Sequence, residues 1–338
     1  MTVVRAYAAA EAGKPFAPFT YELGPIGADE VDVRVEYCGL CHSDLSMWEN
    51  EWKRTSYPFV GGHEVVGRVV AMGPEAKGLT VGQRVGVGWF VRSDLTSRQC
   101  LCGDHHLSPG NAPTIVGRHG GFGEIVRCQW VWAIPIPQAL DPAKAGPLFC
   151  GGITVFAPIF EYGVKPTDRV AVFGVGGLGH LALQFLSKWG CEVTAFTSSP
   201  DKEKEARGFG AHHVASSTDV ASWKALRGRF DFLLVTTNVP LDWTALAATL
   251  STRGRLHIVG AVSEPVALPI SALMGGARSL SSSPVGSPAT TAIMLDFCAR
   301  HGVAPLTEEF PLSRVNDAFA RLGGGKARYR IILRNDFA

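Results

Sequence analysis

The sequence predicts an α/β chain of two domains, a β-rich domain of short strands followed by a doubly wound parallel sheet. Three observations lead there. The 338 residues amount to about two domains at roughly 150 residues each. From Val31 to about Gly88, short β-branched runs alternate with glycine (VDVRVEY, HEVVGRVVAMG, VGQRVGVGW), which reads as strands and tight turns. After about Thr167, strand patterns alternate with helix patterns, and repeated βα units imply a parallel sheet covered on both faces.

Between Arg92 and Gly121 the strand pattern dissolves into SDLTSRQCLCGDHHLSPGNAP, an irregular lobe of a length that is usually functional or externally braced. Beyond it come RVAVFG, the helix GLGHLALQFLSKWG, CEVTAFT, and further strand and helix runs to RGRLHIVGA. In the first of these helices Leu178, Leu181, Ala182, Phe185, Leu186 and Trp189 form one apolar stripe ending at Gly190. From about Ser287 a last helix (TTAIMLDFCARHG), a Pro-punctuated stretch and a final strand (ARYRIILR) return to the first domain. The divisions expected are 1–152, 153–287 and 288–338.

Composition narrows the partners. Lys plus Arg number 32 against 30 for Asp plus Glu, a net charge of +2, so nothing points to nucleic acid or an anionic membrane surface. A small-molecule ligand is expected instead. No apolar run approaches the roughly 18 to 20 residues of a membrane span, and the N-terminus lacks a basic segment followed by an apolar one, so a cytoplasmic location is expected. The eight cysteines are irregularly spaced in a long chain, which argues against a disulfide scaffold and for metal or packing roles.

VAVFGVGGLGHLAL places Gly174, Gly176 and Gly179 in GxGxxG spacing between a strand and a helix. There the first glycine allows the turn, the second lets the backbone approach a pyrophosphate, and the third permits close helix packing. The amides of Gly176, Gly177 and Leu178 then face the phosphates at the helix N-terminus. The following strand ends in Thr197, Ser198 and Ser199, with Lys202 beyond, where an NAD site would place a carboxylate. Hydroxyls and a lysine suit a 2′-phosphate, so NADPH is favoured over NADH; Asp201, if it turned back to the ribose, would weaken that preference.

Cys38 and Cys41 end a strand, His63 and Glu64 follow about twenty residues on, and Cys150 comes much later. Thiolate and imidazole are the preferred ligands of zinc, and three protein ligands with an open fourth position define a catalytic site. A CxxC pair is also compatible with redox chemistry, although no βαβ unit adjoins this one.

With these motifs in order, CGLCHSDL, GGHEVVGRVVAMG, VGQRVGVGW, LFCGGITVF, GVGGLG and KARYRIIL, the chain resembles the zinc-dependent medium-chain alcohol dehydrogenases over nearly its whole length. It is most similar to their cinnamyl-alcohol-dehydrogenase-like branch and, within it, to bacterial NADPH-dependent aldehyde reductases. The resemblance implies a GroES-like catalytic domain and a Rossmann NADP-binding domain. It implies that Cys41, His63 and Cys150 ligate one catalytic zinc, that Glu64 coordinates it transiently, and that Asp44 orients His63. Ser43 would hydrogen-bond the reacting oxygen, Thr154 would pack at the nicotinamide, His42 would lie near the cofactor pyrophosphate, and Trp48 and Trp89 would wall the substrate pocket. Cys38 reads as a small buried residue.

Two departures stand out. The four cysteines that hold a structural zinc in relatives are here Asp94, Ser97, Cys100 and Ser108, so that zinc is expected to be absent, unless Asp94, Cys102, His105 or His106 improvise a site. Ser46 stands where relatives commonly have a proton-relaying histidine; the relay would then run through the nicotinamide ribose, through Ser46, or by way of His42. The expected reaction is reduction of aliphatic or aromatic aldehydes to primary alcohols with NADPH. The alternatives are a cinnamyl-alcohol or polyol dehydrogenase working in the oxidising direction, and a cofactor-binding protein without catalysis. Relatives pair sheet edges into a homodimer, here around Ser279 to Val285.

Overall fold

The computed structural model describes residues 2–198, 200–262 and 264–337, so Ser199, among the expected cofactor contacts, lies outside the described residues. Two compact units emerge, one formed by residues up to Ile153 together with those from Gly286 onward, the other by Thr154–Val285. No single helix among the described residues is long and apolar enough to cross a membrane.

The strands in chain order are β1 (Thr2–Ala9), β2 (Phe16–Leu23), β3 (Glu30–Leu40), β4 (Val65–Met72), β5 (Arg84–Val87), β6 (Phe90–Arg92), β7 (Ala112–Pro113), β8 (Ile125–Gln129) and β9 (Ile134–Pro135) in the first unit. The second unit holds β10 (Arg169–Phe173), β11 (Glu192–Thr197), β12 (His213–Ser216), β13 (Phe230–Val235), β14 (Leu250–Ile258) and β15 (Ser279–Ser282). The chain returns to the first unit for β16 (Thr307–Pro311) and β17 (Arg330–Arg334).

β3 is the spine of the first unit. Its 11 residues exceed the usual strand length, and different parts pair with different partners. Glu30 to Arg34 pair antiparallel with β8, whereas Tyr37 to Leu40 pair antiparallel with β17. β4 runs along the other side of β3 and passes the sheet on to β5 and β9. Val31, Val33 and Val35 are buried among Val65, Val69 and other β-branched residues, which pack well on a pleated surface. Because β3 ends at Leu40, the chain delivers Cys41 directly from a strand whose register is held on both sides.

The second unit is a six-stranded parallel sheet in the order β12-β11-β10-β13-β14-β15. Strand order reverses between β10 and β13, and ligands of such sheets bind beyond the strand ends at that switch point. β10 is buried from Val170 to Phe173 and leads into Gly174. The helix Gly179–Trp189 ends in a left-handed Gly190 (φ 108), a position where a Cβ is costly. Its buried set exceeds the expected stripe, taking in Leu183 and His180 as well, because a helix covering a parallel sheet is itself covered. A separate aromatic core, which includes no residue of this helix, is built from Phe173, Phe196, Trp223 and Phe230.

Candidate active site

The end of β3 builds the site through one carboxylate. Asp44, three residues into the turn that opens the helix His42–Trp48, is fully buried. Its Oδ2 accepts the backbone N–H of Cys41 at 3.0 Å, and its Oδ1 accepts the N–H of Gly62 at 2.8 Å. Oδ1 also lies 3.1 Å from Nδ1 of His63. One side chain thus caps a helix, ties it to the loop before β4, and is placed to accept a hydrogen bond from His63 Nδ1–H, the tautomer that presents Nε2 as a metal ligand.

Nε2 points at the thiols. It lies 3.3 Å from Cys150 Sγ, which is 3.8 Å from Cys41 Sγ. Cys150 arrives from the turn between a short 3-10 segment, Gly146–Phe149, and the helix Gly151–Glu161. Ligand atoms of Cys41, His63, Glu64 and Cys150 all lie within 4.8 Å of one another, and all four residues are buried. Two sulfurs, an imidazole and a carboxylate at this spacing match the donor preferences of zinc.

Glu64 carries a partner that sequence reading missed. Arg330, on β17, is buried and donates to Glu64 Oε1, while Glu64 Oε2 is buried with no hydrogen-bond partner. A carboxylate held by one oxygen with the other unsatisfied is a donor kept ready for a cation. Gly39 makes room for it, since a Cβ there would overlap the Glu64 carboxylate. The signal for Arg330 was the need of a buried carboxylate for a cation; nothing local in the tail names which one.

The electrostatics follow from this burial. The Cys150 thiol donates to Cys41, so the pair releases its first proton at Cys41 well below the ordinary thiol range, with Arg330 and His63 helping. The second proton is held at Cys150, well above that range, by the neighbouring thiolate and by burial. Burial pushes Glu64 up to about 7 against the pull of Arg330. Burial works against charge on His63, but Asp44 and Cys41 overcome it and raise its pKa. Cys38 is a buried thiol held protonated mainly by burial.

Around the cluster, Ser43 Oγ lies 3.8 Å from Cys41 Sγ and is half-buried. Trp89 meets the His63 ring edge to face at 4.9 Å, and Trp52, which sequence reading did not single out, meets Trp89 at 6.0 Å. Trp48 belongs to a different group. It packs on Phe16 and Phe319 at 6.4 and 5.4 Å and donates its indole N–H to the Lys14 carbonyl at 2.7 Å. No ring contact joins it to His63 or Trp89 among the described residues. Ser46 is buried and makes no hydrogen bond to Ser43 among the described residues, whereas His42 is exposed.

The lobe positions are occupied by hydrogen bonds. Asp94 Oδ1 accepts the N–H groups of Thr96 and Ser97 at 3.1 and 2.9 Å, Ser97 Oγ accepts Cys100 N–H, and Ser108 Oγ accepts the N–H groups of Asp94 and Gly110. These bonds, the Ser97 amide foremost, hold the Asp94 carboxyl well below its usual range.

In the second unit the three loop glycines separate by cause. Gly174 has φ +97, and a Cβ on Gly179 would overlap the Gly174 carbonyl. A Cβ on Gly176 would meet nothing within 4 Å, so the protein itself does not require glycine there; a ligand approaching the backbone does. Gly177 and Leu178 follow at the helix mouth, half-buried. Lys202 Nζ reaches back to the Val175 carbonyl at 3.3 Å, Thr197 ends β11, and Ser198 follows it, exposed. Thr154 is half-buried on its helix, while His180 is fully buried with Nδ1 at 3.1 Å from the Gly176 carbonyl.

A β-rich unit with a buried thiol, imidazole and carboxylate cluster, joined in one chain to a dinucleotide-type sheet, defines a zinc-binding oxidoreductase. Family models agree: residues 27–138 match the alcohol dehydrogenase GroES-like domain, and residues 177–300 match the zinc-binding dehydrogenase. The chain belongs to the zinc-binding alcohol dehydrogenase family. It is 51% identical over 98% of both chains to the aldehyde reductase AdhA of Synechocystis. Among solved structures, a cinnamyl alcohol dehydrogenase from Sorghum bicolor matches with a TM-score of 0.93, 34% identity and 98% coverage of both chains. A cinnamyl alcohol dehydrogenase from Helicobacter pylori, solved with NADP(H), matches with a TM-score of 0.89 and 26% identity, again over 98% of both chains.

Proposed function

We propose that the chain reduces aliphatic or aromatic aldehydes to primary alcohols with NADPH at one zinc centre, the physiological setting being the cytoplasm. The observation that carries this is the buried cluster of Cys41, His63 and Cys150 beside an unsatisfied Glu64 oxygen. In this reading the two sulfurs and Nε2 of His63 hold the metal, with Glu64 Oε2 as a reserve donor. Bound zinc supplies the Lewis acidity that polarises a carbonyl, and bound NADPH supplies the hydride. Asp44 keeps the His63 ring in one tautomer and one orientation. Ser43 Oγ, beside Cys41, would give its proton to the reacting oxygen and be refilled through the nicotinamide ribose or from the side of exposed His42, since buried Ser46 makes no hydrogen bond to it among the described residues. Trp89 and Trp52 supply apolar walls that favour uncharged aldehydes.

The NADPH preference is supported by Lys202, drawn over the glycine loop, and by the hydroxyls of Thr197 and Ser198 at and just past the end of β11, which suit a phosphate; Asp201 is the counter-signal beside them. The Synechocystis relative is called an aldehyde reductase and the Helicobacter structure holds NADP(H), which agrees with this reading. A lobe without structural zinc is supported by the hydrogen bonds that Asp94, Ser97 and Ser108 already make.

The test is NADPH oxidation with benzaldehyde and with a medium-chain aldehyde, together with metal analysis. We expect turnover, one zinc per chain, and in Cys41→Ala loss of turnover with NADPH binding retained. Activity that survives both this substitution and removal of zinc would refute the metal mechanism, and two tightly bound zincs would refute the metal-free lobe.

A homodimer forms, in this reading, by pairing of the β15 edges. Support comes from the unpaired outer side of β15 and from exposed Ile270, Met274 and Leu280 in the same unit. Sedimentation velocity is expected to return twice the 36.1 kDa chain mass; a single-chain mass at micromolar concentration would sink the idea.

A further inference from the structure

The first unit carries a group of arginines that the active site does not use. Strand register sets Arg34 on β3 opposite Arg68 on β4, and Arg68 opposite Arg84 on β5. Like charges directly abreast repel one another. Glu36, two residues along β3, relieves part of this by accepting from Arg68 Nε at 2.8 Å and from Arg84 Nε at 2.9 Å. One carboxylate therefore serves two arginines. Nearby acids are taken: Glu124 by Arg5 at 2.7 Å, and Glu309 by Arg334 at 3.0 Å. Arg34 is left over, exposed and without an ion pair or hydrogen bond from its guanidinium among the described residues.

This surplus faces a cavity. Arg34, Arg84 and Arg334 line a hollow of about 370 Å³ whose walls also include Tyr37, Phe337 and Pro142 and two carboxylates, Glu36 and Glu124, each already bonded to arginine, so that one positive charge is left in excess. Arg84 also borders a second hollow of about 530 Å³, shared with Arg68, so the cationic surface continues from one into the other. Phe337 stacks on Tyr7 at 5.4 Å, and the Arg5 guanidinium lies 5.3 Å from its ring centre. Guanidinium forks match the oxygens of phosphate in planar, paired hydrogen bonds. The Tyr37 and Phe337 rings beside them suit the apolar part of an organic group.

We infer that this cavity binds a phosphate-bearing small molecule of about nucleotide size, its phosphates against Arg34, Arg84 and Arg334 and its organic part against Phe337 and Tyr37. The site uses no residue of the metal cluster or of the glycine loop. It is independent of the cofactor and substrate assigned above.

The experiment is calorimetric titration of the zinc-loaded enzyme with its dinucleotide site filled by excess NADP+, using inorganic phosphate, pyrophosphate and ADP in turn, with adenosine as the uncharged control. We expect binding of the phosphates and none of adenosine. Tighter binding of ADP than of pyrophosphate identifies a nucleotide as the source of the phosphate; equal binding identifies a free inorganic anion. Arg34→Gln replaces an exposed side chain that makes no ion pair or hydrogen bond among the described residues and only a longer-range attraction to Glu124, so the fold and the aldehyde reductase rate stay unchanged while affinity falls by about tenfold or more, the loss of one charge-assisted contact. Absence of heat with every phosphate, or equal affinity in Arg34→Gln, overturns the inference.

Discussion

Asp44 shows how little local sequence is needed to set a site when one side chain has three partners. Its oxygens bind the amides of Cys41 and Gly62 and the ring of His63, so the helix cap and the metal-ligand tautomer are one constraint. Glu64 depends instead on a residue 266 positions away. Removing only the cation leaves a buried carboxylate uncompensated, so Arg330→Met is expected to cost about 3–5 kcal/mol in chemical denaturation. The double variant with Glu64→Gln should recover much of this, because neither charge then remains buried. A double variant as unstable as the single one would show that Arg330 acts through packing and not through Glu64. The metal cluster itself was legible in the sequence, since Cys41, Asp44, His63 and Glu64 sit in short motifs. Arg330 and Trp52 were not, because their meaning lies in whom they meet.

At the scale of the element, the glycine loop separates backbone need from ligand need. Gly179→Ala forces a Cβ onto the Gly174 carbonyl and is expected to lower the melting temperature by several degrees, an overpacking cost of about 1–3 kcal/mol. Gly176→Ala meets open space, so its melting temperature should match the parent while NADPH binding weakens about tenfold or more. Unchanged cofactor affinity in Gly176→Ala would remove the ligand explanation for that glycine. The lobe makes the same point in reverse. Its sequence shows that four thiolates are missing, yet only the folded chain shows Asp94 and Ser108 collecting the amides that hold it.

For the whole molecule, buried histidines set an acid limit. Burial, with Arg255 adding to it, pulls His257 down to about 4 from 6.5, and burial also lowers His105, His106 and His119. These groups are neutral when folded and take a proton when unfolded below pH 6.5, so the unfolded state binds more protons. Their contribution is complete above pH 6.5 and is lost as pH falls toward 4, with a slope of up to about 1.4 kcal/mol per pH unit for His257. The change in urea midpoint between pH 7 and pH 5 contains opposing terms, since Glu64 and His63 hold their protons more tightly when folded, so the test is the comparison with His257→Asn, whose midpoint should fall less, or rise more, from pH 7 to pH 5 than the parent's; the same change in both proteins would contradict this. By itself the sequence determined the β-rich and βα segments and the glycine loop, because periodicity and short spacings are local and survive without a fold, while the ligand set came from the resemblance that its motifs carry. Only the tertiary structure decided that Arg330 holds Glu64, that Trp52 joins Trp89, and that three arginines from three strands share one cavity. Those pairings join residues far apart in the chain, and strand register, which no local pattern encodes, is what brings them together.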